Sequence, residues 1–109
     1  MPNQELTRVF QALTDPTRRA VLERLTHGPA PVSELAQPFK MALPSFVQHL
    51  GVLEDCGLVR SKKAGRVRTY SLAPQPLKEA EHWLSAQRAL WELRLDALDE
   101  FLQTLTEQK

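Results

Sequence analysis

Apolar residues recur along most of this chain at helical spacing. Leu6, Val9, Phe10 and Leu13 fall at i, i+3, i+4 and i+7, which predicts an amphipathic helix. Asp15-Pro16 restarts the chain, with Asp15 as a good N-cap and Pro16 suited to the first helical position. Ala20, Val21, Leu22 and Leu25 give this second helix its buried side, and His27-Gly28-Pro29 ends it. Ala30-Pro31-Val32 reads as a short extended link. Ser33 can then cap a third, short helix with Leu35, Ala36 and Phe39 as its apolar residues; Pro38 and Phe39-Lys40-Met41-Ala42 close it. A fourth helix is predicted from Leu43 to Asp55, because Phe46, Leu50 and Leu53 share one face and Gly57 sits where a left-handed C-cap is usual. From Leu58 the period changes. Leu58 to Lys63, a turn at Ala64-Gly65, and Arg66 to Leu72 predict a β-hairpin, with Tyr70 and Leu72 packed inward. Strand parity puts Arg66 and Arg68 on that same face, so the hairpin must overhang the core as a wing.

Pro74 and Pro76 set off a last helix from about Leu77 to Glu107. At 1.5 Å per residue it spans roughly 45 Å. Leu77, Leu84, Trp91, Leu98 and Leu105 repeat every seven residues; Trp83, Leu90, Leu95, Phe101 and Leu102 widen the stripe. The far end outruns a globule of 109 residues. A protruding apolar helix is an exposed patch unless a partner buries it, and a second copy about a two-fold axis is the economical partner.

Two helices at the spacing of Val32 to Leu58 match a helix-turn-helix, whose second helix enters the DNA major groove. The expected fold is mostly α with a small β-hairpin, a winged helix-turn-helix in the order α-α-α-α-β-β-α, dimeric. Length predicts one domain, residues 1–109. Net charge is only +1, but its distribution is uneven. Residues 1–39 carry four basic and four acidic side chains. Residues 40–75 carry six basic (Lys40, Arg60, Lys62, Lys63, Arg66, Arg68) against Glu54 and Asp55, and residues 76–109 carry four basic against seven acidic. The positive charge thus gathers on the helix-turn-helix and hairpin, which makes Lys40, Lys62, Lys63, Arg66 and Arg68 candidate phosphate contacts.

At the second helix of the motif, Gln48 can hydrogen-bond an adenine edge, and Leu43 or Val47 can touch a thymine methyl. Leu43 and Val47 can also be read as core residues, and Pro44 as merely tolerated near a helix start. His49 suits a phosphate contact or a backbone carbonyl. Arg18 suits a phosphate or a local ion pair with Asp15. Catalysis is not indicated: glycine-rich phosphate loops and the Ser-x-x-Lys and Gly-x-Ser-x-Gly motifs are missing. His27, His49 and His82 are far apart, and His82 beside Glu79 or Glu81 reads more simply as surface decoration than as a zinc site. No metal or other cofactor is expected. Cys56, alone, excludes an intrachain disulfide and reads as a packing residue. MPNQELTRVF lacks the basic-then-apolar order of a signal peptide, and no segment resembles a membrane span, so a cytoplasmic protein is expected. The alternative function is a winged-helix protein–protein module without DNA binding, which would have no need of an Arg66–Arg68 pair.

The chain resembles the ArsR-type winged-helix repressors. The resemblance lies in Leu13-Thr14-Asp15-Pro16-Thr17-Arg18-Arg19, His27-Gly28-Pro29, Val32-Ser33-Glu34-Leu35-Ala36, His49-Leu50-Gly51-Val52-Leu53-Glu54, Gly57-Leu58-Val59 and Gly65-Arg66-Val67-Arg68. It runs from about Leu6 to Leu105. It implies a homodimeric repressor of its own or a neighbouring operon, bound to a palindromic double-stranded DNA operator. It further implies joining through the first and last helices, segments 1–13 and 76–107, with Leu6, Phe10, Trp83, Leu84, Trp91, Leu95, Leu98 and Leu102 at the interface. Base reading would fall to Leu43, Pro44, Val47, Gln48 and His49. Many metal-sensing members carry Cys-x-Cys in the helix before the recognition helix; here that helix reads Ser33-Glu34-Leu35-Ala36. The chain looks most like the subgroup without that metal site. Its recognition helix has Val47 and Gln48 where the family usually carries Ser and Lys or His, so the operator sequence and any effector stay open.

Overall fold

The computed structural model describes residues 3–107. Element order is α1 (Asn3–Ala12), α2 (Pro16–Leu25), β1 (Ala30–Pro31), α3 (Val32–Ala36), α4 (Leu43–Asp55), β2 (Val59–Ala64), β3 (Val67–Leu72) and α5 (Gln75–Glu107). Met1 and Pro2, the start of the expected N-terminal helical segment, lie outside the described residues. The architecture is a mostly helical winged helix-turn-helix, as expected. Asp15 caps α2: its Oδ2 accepts the Arg18 N–H at 3.0 Å, and Pro16 takes the first turn, where a missing N–H costs nothing. Gly57 at φ +80° lies just beyond α4 and turns the chain into the wing.

Four expectations are corrected. Ala30-Pro31 is a strand rather than a link. It pairs antiparallel with β3, Ala30 opposite Tyr70 and Pro31 opposite Thr69, giving a three-stranded sheet in the order β1-β3-β2. Pro31 is tolerated because β1 is an edge strand. Ser33 does not cap α3. The strand runs straight into the helix, so Pro31 (φ −76°, ψ 161°) occupies the N-cap without a side-chain bond, and Ser33 falls inside the first turn. Phe39 lies beyond α3, half-buried in the turn of the motif, with its ring 5.3 Å from that of Phe46. The hairpin turn is Gly65-Arg66, since Ala64 still pairs with Val67. Gly65 has φ +63° while Arg66 stays at negative φ, the arrangement of a type II′ hairpin turn.

Phe46, Leu50 and Leu53 are completely buried, together with Val9 and Leu58. Truncating such an aromatic to Ala typically costs about 3–5 kcal/mol, so this core sets the position of α4 firmly. Arg24 ties the end of α2 to α3, bonding Glu34 at 2.9 Å and the Gly28 carbonyl at 3.2 Å. At the other side α5 crosses α1, where Phe10 and Trp83 meet edge-to-face at 5.8 Å. Ala80 is the one buried residue of α5 among those described. The radius of gyration is 20.4 Å and the extents are 76 × 30 × 23 Å. A compact chain of this length would have a radius near 13 Å. The distal part of α5 stands away from the globule.

Candidate nucleic-acid interface

The buried arc of α4 dictates what its other side chains can do. Gln48 lies two residues after Phe46 and two before Leu50, and so points away from the core. It is exposed, as are Pro44, Ser45 and Val47. Leu43 is 55% exposed and Val47 45%, so neither is a core residue. Ala42, the N-cap, offers no side-chain bond to the first turn. Ser45 escaped the sequence reading; its signal is a hydroxyl one position before Phe46, off the apolar face and beside Pro44.

His49 is held differently from its neighbours. It is half-buried on the flank facing α2, with Nδ1 3.2 Å from Arg18 Nη1 and 3.7 Å from Asp15 Oδ2. Arg18 also donates to the carbonyls of Ala12 and Gln11. Its local partner is therefore the end of α1 and His49, with Asp15 reached through the backbone N–H. Burial pushes the Asp15 carboxyl up. The Arg18 N–H bond, the electrostatic effect of the neighbouring His49 and Arg18, and the Thr17 N–H bond together outweigh this and leave the group below its ordinary range. Arg19 is occupied by the Leu13 carbonyl at 2.7 Å.

On the wing, β2 and β3 pair Val59 with Leu72, Ser61 with Tyr70, and Lys63 with Arg68. These pairs share one face of the sheet. Its inner end is core: Val59 and Tyr70 are buried. Its outer end carries two cations directly opposite each other, a pairing that destabilises a hairpin in isolation and suits an anionic partner. Lys62, opposite Thr69, lies on the other face. Arg66 lies in the turn and not, as expected, on the strand face that Arg68 shares with Tyr70. Arg68 donates to Ser61 Oγ at 2.8 Å, and Ser61 donates to Glu54 Oε2 at 2.6 Å, linking the wing to α4. Lys40, Lys62, Lys63 and Arg66 are exposed and have no ion-pair or side-chain hydrogen-bond partner among the described residues. A cleft of about 290 Å³ brings Leu43 together with Arg66, Val67, Arg68 and the start of α3. Burial pushes the Tyr70 hydroxyl up, and the Glu54 charge adds to it.

The expected interface residues fall into two groups. Leu6 and Phe10 are partly buried against the core. Trp83, Leu84, Trp91, Leu95, Leu98 and Leu102 are all exposed along α5. The half-buried Cys56 thiol is pushed up by burial and contacts the Leu53 carbonyl at 3.4 Å. Among the described residues there is no group of three or more His, Cys, Asp and Glu that could hold a metal ion, and no helix long and apolar enough to cross a membrane.

A family model described as a helix-turn-helix domain matches residues 13–62. The HTH-type transcriptional regulator Rv2034 of Mycobacterium tuberculosis is 49% identical over 70 residues, covering 64% of this chain and 65% of that protein, just under two thirds of its length. The transcriptional repressor SdpR of Bacillus subtilis is 30% identical over 79 residues, covering 72% of this chain and 88% of SdpR. The crystal structure of an ArsR family transcriptional regulator matches with TM-score 0.82 and 55% identity, over 84% of this chain and 95% of that one. The buried arc that aims α4, the overhanging wing and these relatives agree: the chain belongs to the ArsR family of winged helix-turn-helix transcriptional regulators.

Proposed function

We propose that this chain is a homodimeric repressor that binds a palindromic operator and controls its own or a neighbouring operon. One observation carries the reading. Leu43, Pro44, Val47 and Gln48 stand exposed on α4, beside a wing whose Lys62, Lys63 and Arg66 have no ion-pair partner among the described residues. In this reading α4 lies in the major groove. Gln48 takes an adenine edge, while Leu43 and Val47 take thymine methyls. Lys40, Lys62, Lys63, Arg66 and Arg68 contact phosphates. His49 contributes from the α2 flank.

The apolar stripe of α5, with Leu6 and Phe10 of α1, would form the dimer interface and set the spacing of the two recognition helices. The single domain would thus divide into a reading part and two dimerisation segments, 1–13 and 76–107. We place the chain in the subgroup without the Cys-x-Cys metal site, since α3 carries Ser33, Glu34, Leu35 and Ala36 and the sole cysteine is Cys56.

The test is binding to DNA from the chain's own promoter across a salt titration, with a footprint. A dimeric repressor gives a protected two-fold site and an affinity that falls linearly in log salt. A protein–protein module gives no specific complex at any salt concentration.

A further inference from the structure

Arg18 joins α1 to α4 through one guanidinium. Nε donates to the Ala12 carbonyl at 2.8 Å and Nη2 to the Gln11 carbonyl at 3.1 Å, both at the end of α1. Nη1 lies 3.2 Å from Nδ1 of His49. A guanidinium has donors and no acceptor, so this contact requires a lone pair on Nδ1. The neutral ring then carries its hydrogen on Nε2. Among the described residues Nε2 has no hydrogen-bond partner, yet none of their side-chain nitrogens or oxygens is both buried and unpaired. Nε2 therefore reaches solvent. The side chain is only 24% exposed, so its ring is held by packing as well as by Arg18. Asp15 Oδ2, at 3.7 Å from Nδ1, is beyond hydrogen-bond reach.

We propose that Arg18 is a positioning residue that holds His49 as the Nε2–H tautomer, so that α4 presents a neutral, oriented donor to a phosphate oxygen of the operator backbone. The proposal rests on the DNA-binding reading above. A phosphate suits His49 better than a base, because the ring sits on the α2 flank, away from the outward-pointing Gln48. The rival state is an imidazolium paired with Asp15. It would place a hydrogen on Nδ1 facing the Arg18 guanidinium and force the two apart.

Two measurements on the full chain test the proposal. Ring nitrogen NMR of histidine-labelled protein at neutral pH should show His49 as the Nε2–H tautomer, and Arg18→Met should convert it to a mixture. Binding to one DNA fragment should weaken about tenfold in His49→Asn, the effect of losing a hydrogen bond to a charged partner. His49→Gln, which can place an N–H near the Nε2 position, should stay within about threefold of wild type. The salt slope should not change in His49→Asn, because a neutral donor releases no counterion. Arg18→Met should add nothing in the His49→Asn background, whatever it does to stability, which urea denaturation reports separately. A protonated or Nδ1–H ring in the wild type overturns the proposal. So does an Arg18→Met effect on DNA binding that survives in His49→Asn. If wild type binds DNA and His49→Asn binds equally well, only this proposal fails. If wild type binds no fragment, the DNA-binding reading fails with it.

Discussion

Leu98→Glu on α5 separates the two roles of that helix. Leu98 is 50% exposed and lies outside the core cluster, so a single chain keeps its fold without it. Burying a whole leucine contributes about 1.5–3 kcal/mol, and the exposed half of Leu98 therefore contributes roughly 1 kcal/mol per protomer on pairing. A carboxylate there forfeits that contribution. It also meets the desolvation cost of an unpaired charge, several kcal/mol per site if water is excluded. Two protomers together lose at least about 4 kcal/mol, or roughly a thousandfold in dimer affinity. Sedimentation equilibrium should show a wild-type dimer and a monomeric Leu98→Glu variant at micromolar concentration, with matching far-ultraviolet circular dichroism. Leu98→Met should remain dimeric. The reasoning is refuted if wild type sediments as a monomer at that concentration, or if the glutamate variant dimerises as tightly as wild type.

Other consequences concern the wing, the cap and metal. Lys63→Ala and Arg66→Ala should weaken binding to all DNA sequences alike and each lower the salt slope by about one; an unchanged slope removes them from the interface. Asp15→Ala should cost about 1 kcal/mol at neutral pH, near 4–8 °C in Tm, through loss of the α2 cap. Because the folded Asp15 carboxyl is held below its ordinary range, its contribution is present above the usual carboxylate pKa of about 3.9 and is lost as pH falls through the lower folded value. The Tm difference between the two proteins should accordingly close in strong acid; a difference constant with pH contradicts the account of this cap. Zinc added to the DNA complex should not release it, and elemental analysis of purified protein should find less than stoichiometric metal; tight zinc binding with release refutes the placement in the metal-free subgroup.

Much of this fold is legible in sequence because its determinants are local. The bounds of α4 follow from the spacing of Phe46, Leu50 and Leu53 with Gly57 beyond them, and the start of α2 follows from one Asp-Pro pair. What escaped depends on partners distant in sequence. Two residues, Ala30 and Pro31, carry no strand pattern of their own; β3, forty residues later, makes them a strand and so displaces Ser33 from the cap. A one-residue error in the hairpin turn moved Arg66 from a strand face to the tip, because Ala64-Gly65 and Gly65-Arg66 both offer a glycine for the turn. At the candidate site, the outward direction of Gln48 is implied by the buried triad. The tie between Arg18 and His49 spans 31 residues, and the bridge from Arg68 through Ser61 to Glu54 crosses from the wing to α4, so neither leaves a local signature.

The central claim is that α4 reads bases through Gln48 from two copies held on one face of the duplex. The direct measurement is selection from a randomised operator library by wild type and by Gln48→Ala, with affinities for the enriched sequences. The account predicts two-fold related half-sites about 34–36 Å apart. It also predicts that Gln48→Ala loses about 1–3 kcal/mol of discrimination at one base pair per half-site while non-specific affinity is nearly unchanged. Identical preferred sequences for the two proteins, or enrichment of sites without two-fold symmetry, would contradict it.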